Sequence, residues 1–399
     1  MNSFACRAFQ CCFGAGARLL PWRTPEVYTG DGSLLRVADI LRENSLRRPF
    51  VIASRRQCAD EHFRRLQEVL DMQDILLSIF SAVEPNPSVE TVEKIAEQYR
   101  IDRCDCFLVI GGGSPMDAAK AAAALLVRPN RSLSSLAGLL KVRRRIPPFI
   151  AVPTTAGTGS ETTIAAVITG RDHRKYAVSD LCLIPRYAIL DPTLSAGLPP
   201  HITAETGMDA LTHAVEAYLS RFYNTRKTRE QAERAVVTIF SHLERAYRDG
   251  ASLPDRAAML QASFDAGAAF TRASVGNVHA IAHTLGGLYG TAHGLANAVL
   301  LPIVLEDYGA AAYPRLARLA HLVGIQEASA EASARAFIAE IRAMNARMGI
   351  PDHFDCIRSE DIPLMASWAC REANPVYPVP VIYDQARFAR VIERSCVKP

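Results

Sequence analysis

Residues 106–126, CFLVIGGGSPMDAAKAAAALL, leave a chain few options. Five apolar residues in a row read as a strand buried on both faces. Gly111, Gly112 and Gly113 follow, and they let the backbone turn sharply and approach a ligand without a Cβ in the way. An alanine-rich helix is predicted over 115–126. Ser114 fits its N-cap, Pro115 its first position and Asp117 its third, a start similar to a capping box. The N–H groups at such a helix N-terminus suit a pyrophosphate. The spacing is not GxGxxG, so the usual dinucleotide fingerprint does not strictly apply. A tight strand-to-helix turn with no ligand explains the same residues.

The alternation continues on both sides. PFVIAS (49–54), DILLSIF (74–80) and PFIAVPT (148–154) read as strands, and 61–72 and 88–100 as helices. Strands alternating with helices predict a parallel sheet covered on both faces. A second loop, PTTAGTGSETT (153–163), also follows a strand. Its Thr154, Thr155, Thr158 and Ser160 hydroxyls can bond a ribose, a carboxamide or a phosphate, or only their own backbone. Two such loops at strand ends lie where open α/β sheets bind ligands. Near DPTLSAGLPPH (191–201) the character changes, and helical patterns alone follow: 203–220, 227–247, 255–285, 310–323 and 330–348. The expected fold is an α/β dinucleotide-binding domain over 1–197 and an all-helical domain over 198–399.

Composition narrows the function. A net charge of +4 over 399 residues is too weak to argue for nucleic acid. The basic run KVRRR (141–145) reads as a solvated loop, with anion contact as the alternative. The ten cysteines form no CxxC pair and read as reduced thiols of a cytoplasmic protein. The N-terminus lacks the apolar core of a secretory signal, and no run of about 18 apolar residues predicts a membrane span.

The helical half concentrates histidines. In TGMDALTHAVEAYL, Asp209 and His213 lie four apart and share one helix face. GNVHAIAHTLGGLYGTAHG repeats the spacing with His279 and His283 and adds His293. Apolar neighbours point the first two inward, and buried imidazoles need partners. Ordinary hydrogen bonding explains one or two of them, but less readily three beside an Asp–His pair. One carboxylate and three imidazoles make a shell suited to Fe²⁺ or Zn²⁺. Five candidates for four places leave one histidine for other work. Glu216 either supports this cluster or is simply polar.

These segments resemble the iron-containing (group III) alcohol dehydrogenases. GGGSPMDAAK, PTTAGTGSE, GMDALTHAVEAY and HAIAHTLGGLYGTAHGLANAVLLP match that family's hallmark stretches in order and spacing, with weaker similarity in VEPNPSVETV, LDPTLSAGLP and EANPVYPVP. The resemblance covers residues 22–395 and leaves about the first twenty unexplained. It implies the same two-domain fold, with Asp209, His213, His279 and His293 as metal ligands. It places His283 beside nicotinamide and substrate, and Asn86 and Lys175 near the cofactor.

The resemblance implies reversible oxidation of a primary alcohol by NAD(P), with Fe²⁺ expected and Zn²⁺ as the alternative, in a homodimer or larger homo-oligomer. The rivals within the superfamily are polyol and hydroxyacid dehydrogenases and a hydroxyacid–oxoacid transhydrogenase. One departure bears on the cofactor. Many NAD-preferring members carry Asp after Thr or Ser at the end of the first cofactor-binding strand. Here FVIASRR puts Arg55 there, which favours pairing with the 2′-phosphate of NADP.

Overall fold

The computed structural model describes residues 3–171 and 175–396. The chain forms two compact units, residues 21–197 and residues 198–396 together with 3–20. The sequence reading placed the first twenty residues with the α/β domain. As helix α1 (Ser3–Ala17) they pack in the other unit instead.

The α/β unit runs β1 (Glu26–Thr29), α2 (Arg36–Glu43), β2 (Pro49–Ala53), α3 (Arg55–Cys58), α4 (Glu61–Asp71), β3 (Ser78–Phe80) and α5 (Val89–Ile101). It continues through β4 (Cys106–Gly111), α6 (Gly113–Val127), β5 (Gly138–Leu139), β6 (Phe149–Pro153), β7 (Ala165–Thr169), β8 (Lys175–Ser179) and β9 (Tyr187–Leu190). Six strands form one sheet in the order β1-β9-β6-β4-β2-β3, and every pairing is parallel. The pleat divides β4 between two cores. Phe107 and Val109 face α5 and α6, and Phe107 stacks on Tyr99 at 4.7 Å. Leu108 and Ile110 face α2 and α4. Both faces are therefore dry, which is why these strands read as unbroken apolar runs. A second sheet, β5-β8-β7, lies outside the main one.

Three sequence expectations shift here. The strand expected over 74–80 shortens to β3, because Ile75 closes α4 instead. Its N–H bonds Leu70 O at 3.1 Å beside Asp74, whose φ is 55°. Helix α6 begins at Gly113 with Gly112 as N-cap, so Ser114 and Pro115 lie inside the first turn. Strands β1, β5, β7, β8 and β9 had no clear signal, being short or only half-buried. The basic run is an exposed loop held by Asp180, whose Oδ2 accepts the N–H groups of Val142 and Arg143.

The other unit adds α7 (Pro200–Leu219), α8 (Arg226–Arg248), α9 (Leu253–Ala273), α10 (Asn277–Tyr289) and α11 (His293–Tyr308). It ends with α12 (Tyr313–Leu322), α13 (Ala330–Arg347), α14 (Ile362–Ala373) and α15 (Gln385–Arg394). Its described residues include no strand. The single helix expected over 255–285 is two. Ser274, with φ 68°, closes α9 through its N–H to Phe270 O, and Gly276 caps α10. Among the described residues no helix is long and apolar enough to cross a membrane.

Candidate metal centre and cofactor loops

Three helices deliver the metal candidates. Asp209 and His213 stand one turn apart on α7, His279 lies in the first turn of α10, and His293 opens α11. One ligand atom from each lies within 4.8 Å of every other. Asp209 Oδ1 is the hub, at 3.9 Å from His213 Nδ1, 3.9 Å from His279 Nε2 and 3.6 Å from His293 Nε2. Ligands at the usual 2.0–2.2 Å around a tetrahedral ion stand about 3.4 Å apart, so small adjustments close this set. Gly294 permits the approach of α11. A Cβ there would lie 2.4 Å from Glu205 O on α7.

The surroundings suit a cation. Asp209 is 2% exposed, so its charge is costly without compensation. Burial, with His213, His293 and His283 nearby, holds His279 well below the ordinary imidazole range. A neutral ring offers the lone pair a metal needs. Glu216, which the sequence left open, supports His279: its Oε2 lies 2.7 Å from His279 Nδ1. Glu216 also accepts the N–H groups of Gly276 and Val278 at 2.7 and 2.8 Å, so it is held as firmly as it holds. This leaves His279 Nε2 aimed at the cluster. Phe270 of α9 stacks on His213 at 4.1 Å.

His283 does not join the ligand set. Its Nδ1 lies 2.6 Å from Glu372 Oε1, which also accepts the Tyr377 hydroxyl at 2.7 Å. Its ring stacks on His293 at 5.3 Å.

In the α/β unit the two loops pack on each other at the carboxyl ends of β4 and β6. A Cβ on Gly111 would lie 2.8 Å from Pro115, on Gly112 3.1 Å from Thr155, and on Gly113 2.9 Å from Thr158. Gly112 and Gly113 thus first admit the threonine loop, and Gly111 admits Pro115. Asp117 does not cap α6 as expected. It is half-buried, accepting Ser160 Oγ at 2.9 Å and Val167 N at 3.1 Å. Lys120, by contrast, is fully buried and donates to Ser160 O and Thr163 Oγ1 at 2.5 and 2.8 Å. Burial pulls its ammonium down to about 8, with Asp117 opposing. Asn86 gathers two further candidates: Lys175 Nζ donates to its Oδ1 at 2.7 Å, and its N–H reaches Ser114 Oγ at 3.4 Å. Thr154 Oγ1 accepts from Gln57 at 3.1 Å. Arg55 stands apart from these contacts, exposed at the start of α3.

Comparison with known proteins agrees with both halves. Residues 24–192 match the iron-containing alcohol dehydrogenase family model, and residues 203–394 match that of the family's C-terminal domain. The chain belongs to the iron-containing alcohol dehydrogenase family. The 1,3-propanediol dehydrogenase of Klebsiella pneumoniae is 40% identical over 306 residues, 75% of this chain and 78% of that one. A crystal structure of a 1,3-propanediol oxidoreductase superposes with a TM-score of 0.89 at 32% identity, covering 94% of this chain and 100% of that one. The sulfoacetaldehyde reductase of Bifidobacterium kashiwanohense, solved with NAD⁺, gives 0.84 at 27% identity, covering 96% and 100%. The enzyme is thus an oxidoreductase acting on CH–OH groups, with a site of one aspartate and three histidines able to hold a metal.

Sequence reasoning missed three residues of this alcohol dehydrogenase's centre. Asn297 follows His293 by four on α11, a spacing that was available to read. Its Nδ2 lies 2.7 Å from Asp209 Oδ1 and 3.2 Å from both His279 Nε2 and His293 Nε2. Its Oδ1 is buried and has no hydrogen-bond partner among the described residues. Glu372 and Tyr377 lie in the EANPVYPVP stretch that carries family similarity, but nothing in its spacing points to His283, 89 residues away from Glu372.

Proposed function

We propose that this enzyme interconverts small or medium, largely apolar primary alcohols and their aldehydes. The observation that carries the reading is the buried Asp209 oxygen ringed by three imidazoles, with His283 beside them. Asp209, His213, His279 and His293 would hold the divalent metal, with Fe²⁺ expected from the family name and Zn²⁺ compatible with the same donors. When bound, that ion supplies Lewis acidity to an alcohol or carbonyl oxygen, and the nicotinamide accepts or delivers hydride. Glu216 keeps His279 oriented. His283, backed by Glu372 and Tyr377, takes or returns the hydroxyl proton.

Gly111, Gly112, Gly113, Ser114, Asn86 and Lys175 form the proposed seat for the cofactor phosphates and ribose, with Asp117 fixing the loops and Thr154, Thr155 and Thr158 lining the seat. Arg55, exposed after β2, favours NADP through its charge. Ten free thiols accord with a cytoplasmic enzyme, and the family expectation is a homodimer or larger homo-oligomer.

The test is turnover of an aldehyde panel with NADPH and NADH, before and after chelation, with Fe²⁺ or Zn²⁺ restored. Metal-dependent oxidation with a preference for NADPH is expected, and Arg55→Asp should reverse the preference. Absence of turnover from chain that binds neither metal nor nicotinamide would sink the reading. His283→Ala is expected to keep its metal and lose about a hundredfold in kcat. Near-normal turnover of that variant from about pH 6 to about pH 9 would remove the proton role.

A further inference from the structure

Helix α1 lies outside the family match, which begins at residue 24. What it touches gives it a purpose. Residues 375–381 contain three prolines, Pro375, Pro378 and Pro380. Three of its seven residues have no N–H, which keeps it out of a helix or a ladder, yet each of its carbonyls needs a partner. Every one has it. Gln10 Nε2 donates to Pro375 O and Tyr377 O at 3.0 and 2.7 Å. Arg7 donates to Val379 O and Pro380 O at 2.7 and 2.8 Å. Tyr223 Oη serves Val376 O, Arg221 N serves Pro378 O, and Asn277 Nδ2 serves Val381 O. Two side chains of α1 therefore supply four of seven partners.

The docking is built, not incidental. Gln10 and Cys6 are fully buried, and Arg7 also holds Gln10 Oε1 at 2.9 Å. Phe13 packs on Tyr223 at 5.2 Å. A Cβ on Gly14 would lie 2.9 Å from Phe222 O, so the helix seats against backbone.

The segment reaches the metal centre at two points. Tyr377 donates to Glu372, which holds His283. Val379 packs against Gly276, 3.3 Å from where its Cβ would be, and Gly276 donates to Glu216, which holds His279. We propose that α1 is a strap that sets the 375–381 segment, and through Tyr377 and Val379 the carboxylates behind His283 and His279. Arg7 and Gln10 are positioning residues, and this assignment rests on the metal centre being the active site.

The test uses the full chain carrying Arg7→Ala, Arg7→Lys or Gln10→Leu. Hydrogen exchange over residues 371–384 is compared with the rest of the helical unit, alongside kcat, KM and melting temperature. Arg7→Ala and Gln10→Leu should speed exchange there about tenfold while the rest stays protected. They should lower kcat by at least about tenfold and move KM by less than about threefold. Arg7→Lys, which keeps the charge but replaces the two-pronged guanidinium with a single nitrogen, should fall between wild type and Arg7→Ala. Unchanged exchange overturns the strap. Faster exchange with unchanged kcat overturns the positioning role. Chain purified from its source and found to begin beyond residue 17 overturns both. Exchange is read without turnover, so failure of the alcohol dehydrogenase reading stays distinguishable from failure of the strap.

Discussion

Asp209→Ala should leave the protein folded, metal-free and inactive. Its Oδ1 is the atom that all three imidazoles approach, at 3.6 to 3.9 Å. Removing it takes away the candidate site's one carboxylate. Three imidazoles would then face a divalent ion with no anionic donor among them to offset its charge. Metal content should fall from about one ion per chain to near zero. Turnover should fall by on the order of a thousandfold or more, the equivalent of several kcal/mol of lost transition-state stabilisation. Asp209→Asn keeps the shape and one oxygen, so it should retain more metal than alanine does. Elemental analysis and kcat/KM on the same preparations check this, and a metal-loaded, active Asp209→Ala enzyme would refute the ligand assignment.

Lys120→Met should be the most destabilising change in the α/β unit. The ammonium is fully buried and meets five oxygens of Ser160, Thr163 and Ala165 within 3.2 Å. Methionine fills similar space and offers none of those bonds. It also strips the nearby cation from Asp117, whose own carboxyl burial already pushes upward. Losing these five contacts to a buried cation, together with the compensation it gives Asp117, costs about 3–5 kcal/mol. Urea denaturation followed by a probe in the α/β unit should show a loss of that size, with nicotinamide binding weakened as the threonine loop loosens. Adding Asp117→Asn should recover part of the loss, because the uncompensated charge disappears. Full additivity of the two changes would mean that the residues are not coupled.

The legible parts of this molecule were those written in local spacing. The pairs Asp209–His213 and His279–His283 announced themselves because residues four apart share a helix face whatever the tertiary fold. Strands β2, β4 and β6 were legible because both their faces are dry. The rest of the site depends on long-range packing. Glu372 and His283 are 89 residues apart, and nothing in either neighbourhood points to the other. Glu216 was visible, but its bonds to Gly276 and Val278 depend on the break between α9 and α10, which an alanine-rich pattern concealed. The start of α6 was misread for a physical reason. Serine and proline are good helix openers, but Gly112 and Gly113 sit against Thr155 and Thr158, and that packing sets where the helix begins.

The way the two loops of the α/β unit interlock also sets rules for redesign. At Gly111, Gly112 and Gly113 even a methyl group would press on Pro115, Thr155 or Thr158. Directed libraries that vary these positions would mostly sample broken cradles. The exposed corner at Arg55 has no such tenant. On the proposed cofactor assignment, diversity aimed there should alter cofactor choice and leave the two interlocked loops intact.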